Sequence, residues 1–185
     1  MTAPLIYIVG ASGSGKDSLM QYCRERLGGS SAVQFAHRYI TRAAHAGGEN
    51  HVQLSPREFA ARAQAGLFAL HWSSHGHSYG IGIEIDHWLE KGIAVVVNGS
   101  REYLAEAGRR YRKLLVVWID VSPEVLRQRL LARGRESAAL VEERLARHRR
   151  MTRPDAGVIV ISNDGALSEA GDALVAAIEQ ALACA

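Results

Sequence analysis

Residues 10–17 read Gly10-Ala11-Ser12-Gly13-Ser14-Gly15-Lys16-Asp17, with glycines and a lysine at the spacing of a loop that wraps a phosphate. The glycines let backbone N–H groups turn inward around an anion, and a helix that starts at such a loop adds the positive end of its dipole. Lys16 supplies a mobile positive charge for the β- and γ-phosphates of a nucleoside triphosphate. Gly10, Ala11, Ser12, Gly13, Ser14, Gly15, Lys16, Asp17 and Ser18 are therefore the candidate nucleotide-binding residues. The last position of the motif ordinarily carries a serine or threonine that reaches Mg²⁺, and here it is Asp17. A carboxylate is also a hard oxygen ligand, so Asp17 is expected to hold Mg²⁺, directly or through water. Ser18, one position on, is expected to point elsewhere on the helix. A glycine-rich turn of no consequence is the alternative, and the flanks weigh against it. Leu5 to Val9 is an apolar run of buried-strand type, and Leu19, Met20, Cys23 and Leu27 fall at helical spacing.

Two groups of arginines could meet the phosphates. Arg127, Arg129, Arg133, Arg135, Arg144, Arg147, Arg149 and Arg150 lie within residues 127–150. Arg129 and Arg133 are four apart and share a helix face. Gly134 turns the chain, and Arg144 and Arg147 return on a second helix, which makes a lid able to carry guanidiniums onto phosphates. Phosphoryl transfer relies chiefly on positioning and charge stabilisation, and Arg133 and Arg144 are the expected catalytic pair. Arg127, Arg149 and Arg150 read as solvated charges balanced by Glu136, Glu142 and Glu143, with Arg129 and Arg135 between the two roles. A nucleic-acid stripe is disfavoured, because interleaved aromatics are missing and the acids dilute the charge.

The second group is His37-Arg38-Tyr39-Ile40-Thr41-Arg42, followed by His45 and Glu49-Asn50-His51. In an extended run Arg38, Ile40 and Arg42 alternate onto one face, so Arg38 and Arg42 can hold an anionic acceptor opposite the phosphate loop. Charges on a surface strand are the alternative. His71, His75 and His77 have no cysteine or carboxylate between them, which disfavours a zinc site.

These residues need a scaffold. Apolar strands alternate with helices, so the expected class is α/β, a P-loop core with a parallel sheet flanked by helices. In such sheets the cleft lies at the carboxyl edge of the strands. Strands are expected over 33–41, 67–72, 78–80, 93–97, 114–120 and 158–161. Ser55-Pro56-Arg57-Glu58 opens a helix ending at Gly66, and Ser122-Pro123 and Ser137 start two more. Further helices are expected over 83–91, after Asn98-Gly99-Ser100 through about Arg110, and over 166–183. The chain reads as one domain over 1–185, with a core at 1–32 and 83–185, an inserted acceptor-binding lobe at about 33–82 and a lid at about 127–150. Hydrophobic content of 48% and charged content of 22% are ordinary for a globular chain, and the net charge of +3 is mild. Cys23 and Cys184 are too few for a disulfide framework, and with no membrane-length apolar run or signal peptide the expected location is the cytoplasm.

The phosphate loop, Tyr39-Ile40-Thr41-Arg42, Ser78-Tyr79-Gly80 and Arg133-Gly134-Arg135-Glu136 resemble the guanylate kinase family, in order and along nearly the whole chain. Within it, His37 to Arg42, Glu49-Asn50-His51, Tyr79 to Asp86 and Val96-Val97-Asn98-Gly99-Ser100-Arg101 resemble the ribose 1,5-bisphosphate phosphokinases of bacterial phosphonate breakdown. That resemblance implies transfer of the γ-phosphoryl group of ATP to the 1-phosphate of ribose 1,5-bisphosphate, with Mg²⁺, giving 5-phosphoribosyl 1-diphosphate and ADP. It implies Arg38, Arg42 and Tyr79 as acceptor contacts, with Asn98 on a sugar hydroxyl. Guanylate kinases grip the acceptor phosphate with two arginines three apart; Arg42 matches the first and His45 stands at the second. The carboxylates with which they read guanine are absent here around Ala69-Leu70-His71-Trp72 and at Asn98. A site without those acceptors discriminates against guanine. A nucleoside monophosphate kinase is the alternative, and a kinase-like binding module without chemistry is a further one. The expected partner is a small phosphorylated acceptor, with no nucleic acid and no membrane, for a monomer or homodimer.

Overall fold

A computed structural model of the chain describes residues 2–43, 49–132, 134, 137–154 and 156–184. In chain order the elements are β1 (Leu5–Gly10), α1 (Lys16–Leu27), β2 (Val33–Phe35), β3 (Arg38–Ile40), β4 (Val52–Gln53), α2 (Pro56–Gln64), β5 (Phe68–Ser74), β6 (His77–Gly82), α3 (Glu84–Glu90) and β7 (Ala94–Asn98). They continue with α4 (Leu104–Arg110), β8 (Leu114–Asp120), α5 (Pro123–Ala132), α6 (Ala138–Arg150), β9 (Val158–Ser162) and α7 (Leu167–Ala183).

The apolar strands form one parallel sheet in the order β2-β7-β1-β8-β9. Covered on both faces, β1 and β7 are buried along nearly their whole lengths, which is why they read as unbroken apolar runs. α1 leaves the phosphate loop and packs on α7, where the Tyr22 hydroxyl donates to Asp172 at 2.6 Å and Cys23 is fully buried.

A second sheet runs β4-β3-β6-β5 and is antiparallel except for the β3–β4 pair. Its hairpin turns at His75 and Gly76, whose φ values of 51° and 74° give the left-handed turn such hairpins favour. It has its own small core of Leu54, Phe59 and Phe68, with the two phenyl rings 4.6 Å apart. α2 is capped by Ser55, which accepts from the Glu58 N–H at 3.1 Å. A third apolar cluster joins Leu126 and Leu130 of α5 to Val141 and Leu145 of α6 and reaches Ala11 of the phosphate loop. Lid and loop therefore share a core.

Three boundaries differ from the sequence reading. β2 pairs with β7, so residues 33–35 belong to the core sheet and the second sheet begins at Arg38. β4 is two residues long and carries no periodicity from which to read it. α4 starts at Leu104 rather than directly after Ser100, because β1 pins the intervening loop. The Tyr7 hydroxyl donates to the Ser100 carbonyl at 3.1 Å and accepts from the Ser100 N–H at 2.9 Å. A Cβ on Gly99 would lie 2.2 Å from the Tyr7 ring, so only glycine fits there.

Candidate functional site

The loop between β1 and α1 turns through Gly13 at φ 97° and Gly15 at φ 90°, where L side chains are strained. It is braced from behind. Buried Asn163, just beyond β9, donates Nδ2 to the Ser14 carbonyl at 2.7 Å, and Arg129 Nη1 reaches the same carbonyl at 3.4 Å. Arg129 thus supports the loop and is absent from the lining of the cleft.

Lys16 Nζ donates to the carbonyls of Gly10 at 2.9 Å and Ala11 at 2.8 Å, across the mouth of the loop. Burial lowers its pKa to about 8; Asp17 opposes that shift, and the charges of Arg38 and Arg101 add to it. Beside it Asp17 Oδ1 accepts from Asn98 Nδ2 at 2.8 Å. Asn98, the expected contact of a sugar hydroxyl, gives one amide N–H to Asp17 because β7 ends next to β1. Its buried Oδ1 has no partner. Among the described residues no three His, Cys, Asp or Glu side chains gather around a metal position. A cation at Asp17 would draw its remaining ligands from water and phosphate oxygens, which is how Mg²⁺ is commonly held. The residues present fit Mg²⁺.

Opposite the loop, the second sheet brings in Arg38, Arg42 and Tyr79. Arg38 donates Nε and Nη2 to the two oxygens of Glu49, both at 2.5 Å, and Arg42 Nη2 lies 3.5 Å from the same carboxylate. The Arg38 guanidinium also sits 5.1 Å over the Tyr79 ring, which stacks on Trp72 at 5.7 Å. β3 ends at Ile40, which is fully buried, so Arg42 reaches the cleft from the bend beyond the strand.

From α6, Arg144 Nη1 donates to Ser12 Oγ at 2.7 Å. Arg147 spans the cleft, with Nη2 on Glu102 at 2.5 Å and Nη1 2.8 Å from His75 Nε2 at the hairpin tip. Arg133, Arg135, Glu136 and His45 lie outside the described residues. Arg127 is a solvated partner of Glu142, and Arg149 and Arg150 are exposed.

These groups enclose one cavity of about 370 Å³ at the carboxyl edge of the parallel sheet. Its lining includes Lys16, Arg38, Arg42, Arg101, Arg144 and Arg147 against the carboxylates of Asp17, Glu49 and Glu102, an excess of positive charge suited to polyanions. Ser18 and His75 line it too, whereas His71 and His77 do not. Sequence reasoning assigned no role to Glu49, Arg101 or Asn163, and placed Arg147 on the lid without its partners Glu102 and His75. Arg101 and Glu49 stood within recognised motifs, and the position of Arg101 just past a parallel strand was a usable signal.

No family model matches the chain. It is 56% identical over 177 residues to ribose 1,5-bisphosphate phosphokinase PhnN of Thiobacillus denitrificans, covering 96% of this chain and 93% of that one. It is 52% identical over 176 residues to the Burkholderia mallei protein of the same name, covering 95% of each. Among solved structures, guanylate kinase from Anaplasma phagocytophilum superposes with a TM-score of 0.70 at 19% identity, over 97% of this chain and 86% of that one.

Proposed function

Because the chain belongs to the ribose 1,5-bisphosphate phosphokinase family, and is a kinase, we propose that its central cleft moves the γ-phosphoryl group of ATP onto the 1-phosphate of ribose 1,5-bisphosphate. The observation that carries this reading is the cleft itself: a phosphate loop and a separate arginine cluster face each other across a cavity rich in cations. The loop N–H groups and Lys16 hold the β- and γ-phosphates of ATP. Lys16 leaves the carbonyls of Gly10 and Ala11 to do so. Asp17, steadied by Asn98, holds Mg²⁺, which when bound neutralises phosphate charge.

Arg38, Arg42 and Tyr79 hold the acceptor's 1-phosphate in line. One of its oxygens forms the new P–O bond as the bond from the γ-phosphorus to the β–γ bridging oxygen breaks, and ADP leaves with that electron pair. The attacking oxygen is already anionic, so no strong general base is required. Arg144 and Arg133 stabilise charge on the transferred group, and the arm of Arg147 between α6 and the hairpin tip closes the cleft against water. The lobe at 38–82 is the acceptor side and the lid at 127–150 the closing element.

ADP release with Mg-ATP, in parallel with ribose 1,5-bisphosphate and each nucleoside monophosphate, tests the assignment. Turnover confined to the sugar bisphosphate supports it, and efficient turnover of GMP overturns it.

The pH dependence follows from Lys16. Below its pKa of about 8 the amine is charged in the free and the ATP-bound protein alike. Above it the free amine is neutral, while triphosphate raises the bound pKa, so binding must take up a proton. ATP affinity is expected to be flat up to about pH 8 and then to weaken, approaching about tenfold per pH unit. Titrations of ATP from about pH 7 to about pH 9.5, in buffers of different ionisation heat, read both the slope and the proton uptake. A flat profile would remove the charged lysine from the phosphate contact.

A further inference from the structure

We propose that Arg101 is a specificity residue, holding the 5-phosphate that distinguishes the acceptor from a monophosphate; this rests on the function proposed above. Arg101 follows β7 on the loop that Tyr7 pins through both backbone groups of Ser100. It is directed into the cleft, with its guanidinium 5.8 Å from the Trp118 ring centroid. Its Nη1 is buried and has no hydrogen-bond partner. The neighbouring carboxylate, Glu102, is taken by Arg147. Burial, and then the charge of Arg147, disfavour the charged form of Arg101.

A half-buried guanidinium with one N–H shut away from both water and an acceptor is costly in the free protein, and a bound anion relieves that cost. Charge balance says which anion is left over. Each phosphate monoester carries about −1.5 to −2 at neutral pH. On the acceptor side Arg38 and Arg42 already share the carboxylate of Glu49, so that cluster offers a net single positive charge to one phosphate. Lys16 and Arg144 sit on the nucleotide loop itself. Among the described residues, Arg42 Nε and Arg101 Nη1 are the buried cation N–H groups of the lining without a partner. Arg42 already belongs to the Arg38–Glu49 cluster, and the acid beside Arg101 is taken by Arg147, so the second phosphate of a bisphosphate goes to Arg101. A nucleoside monophosphate has nothing to place on it.

The test compares the wild type with Arg101→Gln and Arg101→Lys, both checked for thermal stability. The readouts are the dissociation constants for ribose 5-phosphate and ATP, and kcat/KM for ribose 1,5-bisphosphate and for ribose 1-phosphate. In Arg101→Gln, ribose 5-phosphate binding and kcat/KM for the bisphosphate are expected to fall by about 30- to 100-fold. ATP binding and kcat/KM for ribose 1-phosphate are expected to stay within about threefold of wild type, and Arg101→Lys to recover part of the loss. Melting temperature is expected to hold or rise, since a half-buried charge with an unpartnered N–H is removed. An equal fall on ribose 1-phosphate and the bisphosphate, or weakened ATP binding with ribose 5-phosphate unaffected, overturns the assignment. Wild type inactive on the bisphosphate would refute the proposed reaction, while the ribose 5-phosphate titrations would still decide the role of Arg101.

Discussion

Replacing Lys16 with methionine is expected to lower kcat with ATP and ribose 1,5-bisphosphate by about 10³-fold, the upper range for removing one charged donor from a preorganised site. The side chain is half-buried and donates to two loop carbonyls, Gly10 and Ala11, in the free protein. Those contacts keep the ammonium at the position a triphosphate would claim. Methionine keeps the length and apolar stem and removes the charge. Burial already disfavours the charged amine, so stability is expected to change little. Single-turnover kinetics and a melting curve separate the outcomes. A fall in rate with an unchanged melting temperature places Lys16 at the reacting phosphates. A fall that follows lost fold stability, or a rate within about tenfold of wild type, argues against that placement.

How much of this was legible in the chain depended on distance along it. The phosphate loop is local: its glycines, its lysine and the first turn of the helix after it are neighbours in sequence, and each constrains the backbone directly. The apolar runs of β1, β7 and β8 were legible for a similar reason, because a strand buried on both faces tolerates little else. Pairings across long separations were not. Asn98 and Asp17 are 81 positions apart, and nothing near Asn98 says that its amide will face a carboxylate rather than a sugar. β2 is three residues long and joins the core sheet through backbone hydrogen bonds, which carry no side-chain pattern. Arg101 escaped assignment because its significance lies in what it lacks, a partner, and a missing partner becomes visible only once every neighbour is placed.

Glu49→Ala carries the second large effect. The carboxylate is about nine-tenths buried, takes both arms of Arg38, and is approached by Arg42, with Arg38 itself 11% exposed. Truncating one partner of a buried pair leaves the other charge uncompensated, at a cost of about 3–5 kcal/mol. For a chain of this size that corresponds to a melting temperature lower by roughly 10 °C. The same geometry says what restores it. If Arg38 and Arg42 are the acceptor's phosphate grip, Glu49 occupies the place of that phosphate in the free protein and keeps both guanidiniums oriented. An added phosphate anion can then substitute for the lost carboxylate. Inorganic phosphate is expected to raise the melting temperature of the variant by several times more than it raises that of the wild type. Equal phosphate responses would mean that Glu49 braces the second sheet without standing in for substrate. An unchanged melting temperature would mean that the pair is solvated and contributes little. The phosphate-selective rescue ties the fold to the chemistry, because it makes the stability of the second sheet depend on the ligand that sheet is built to hold.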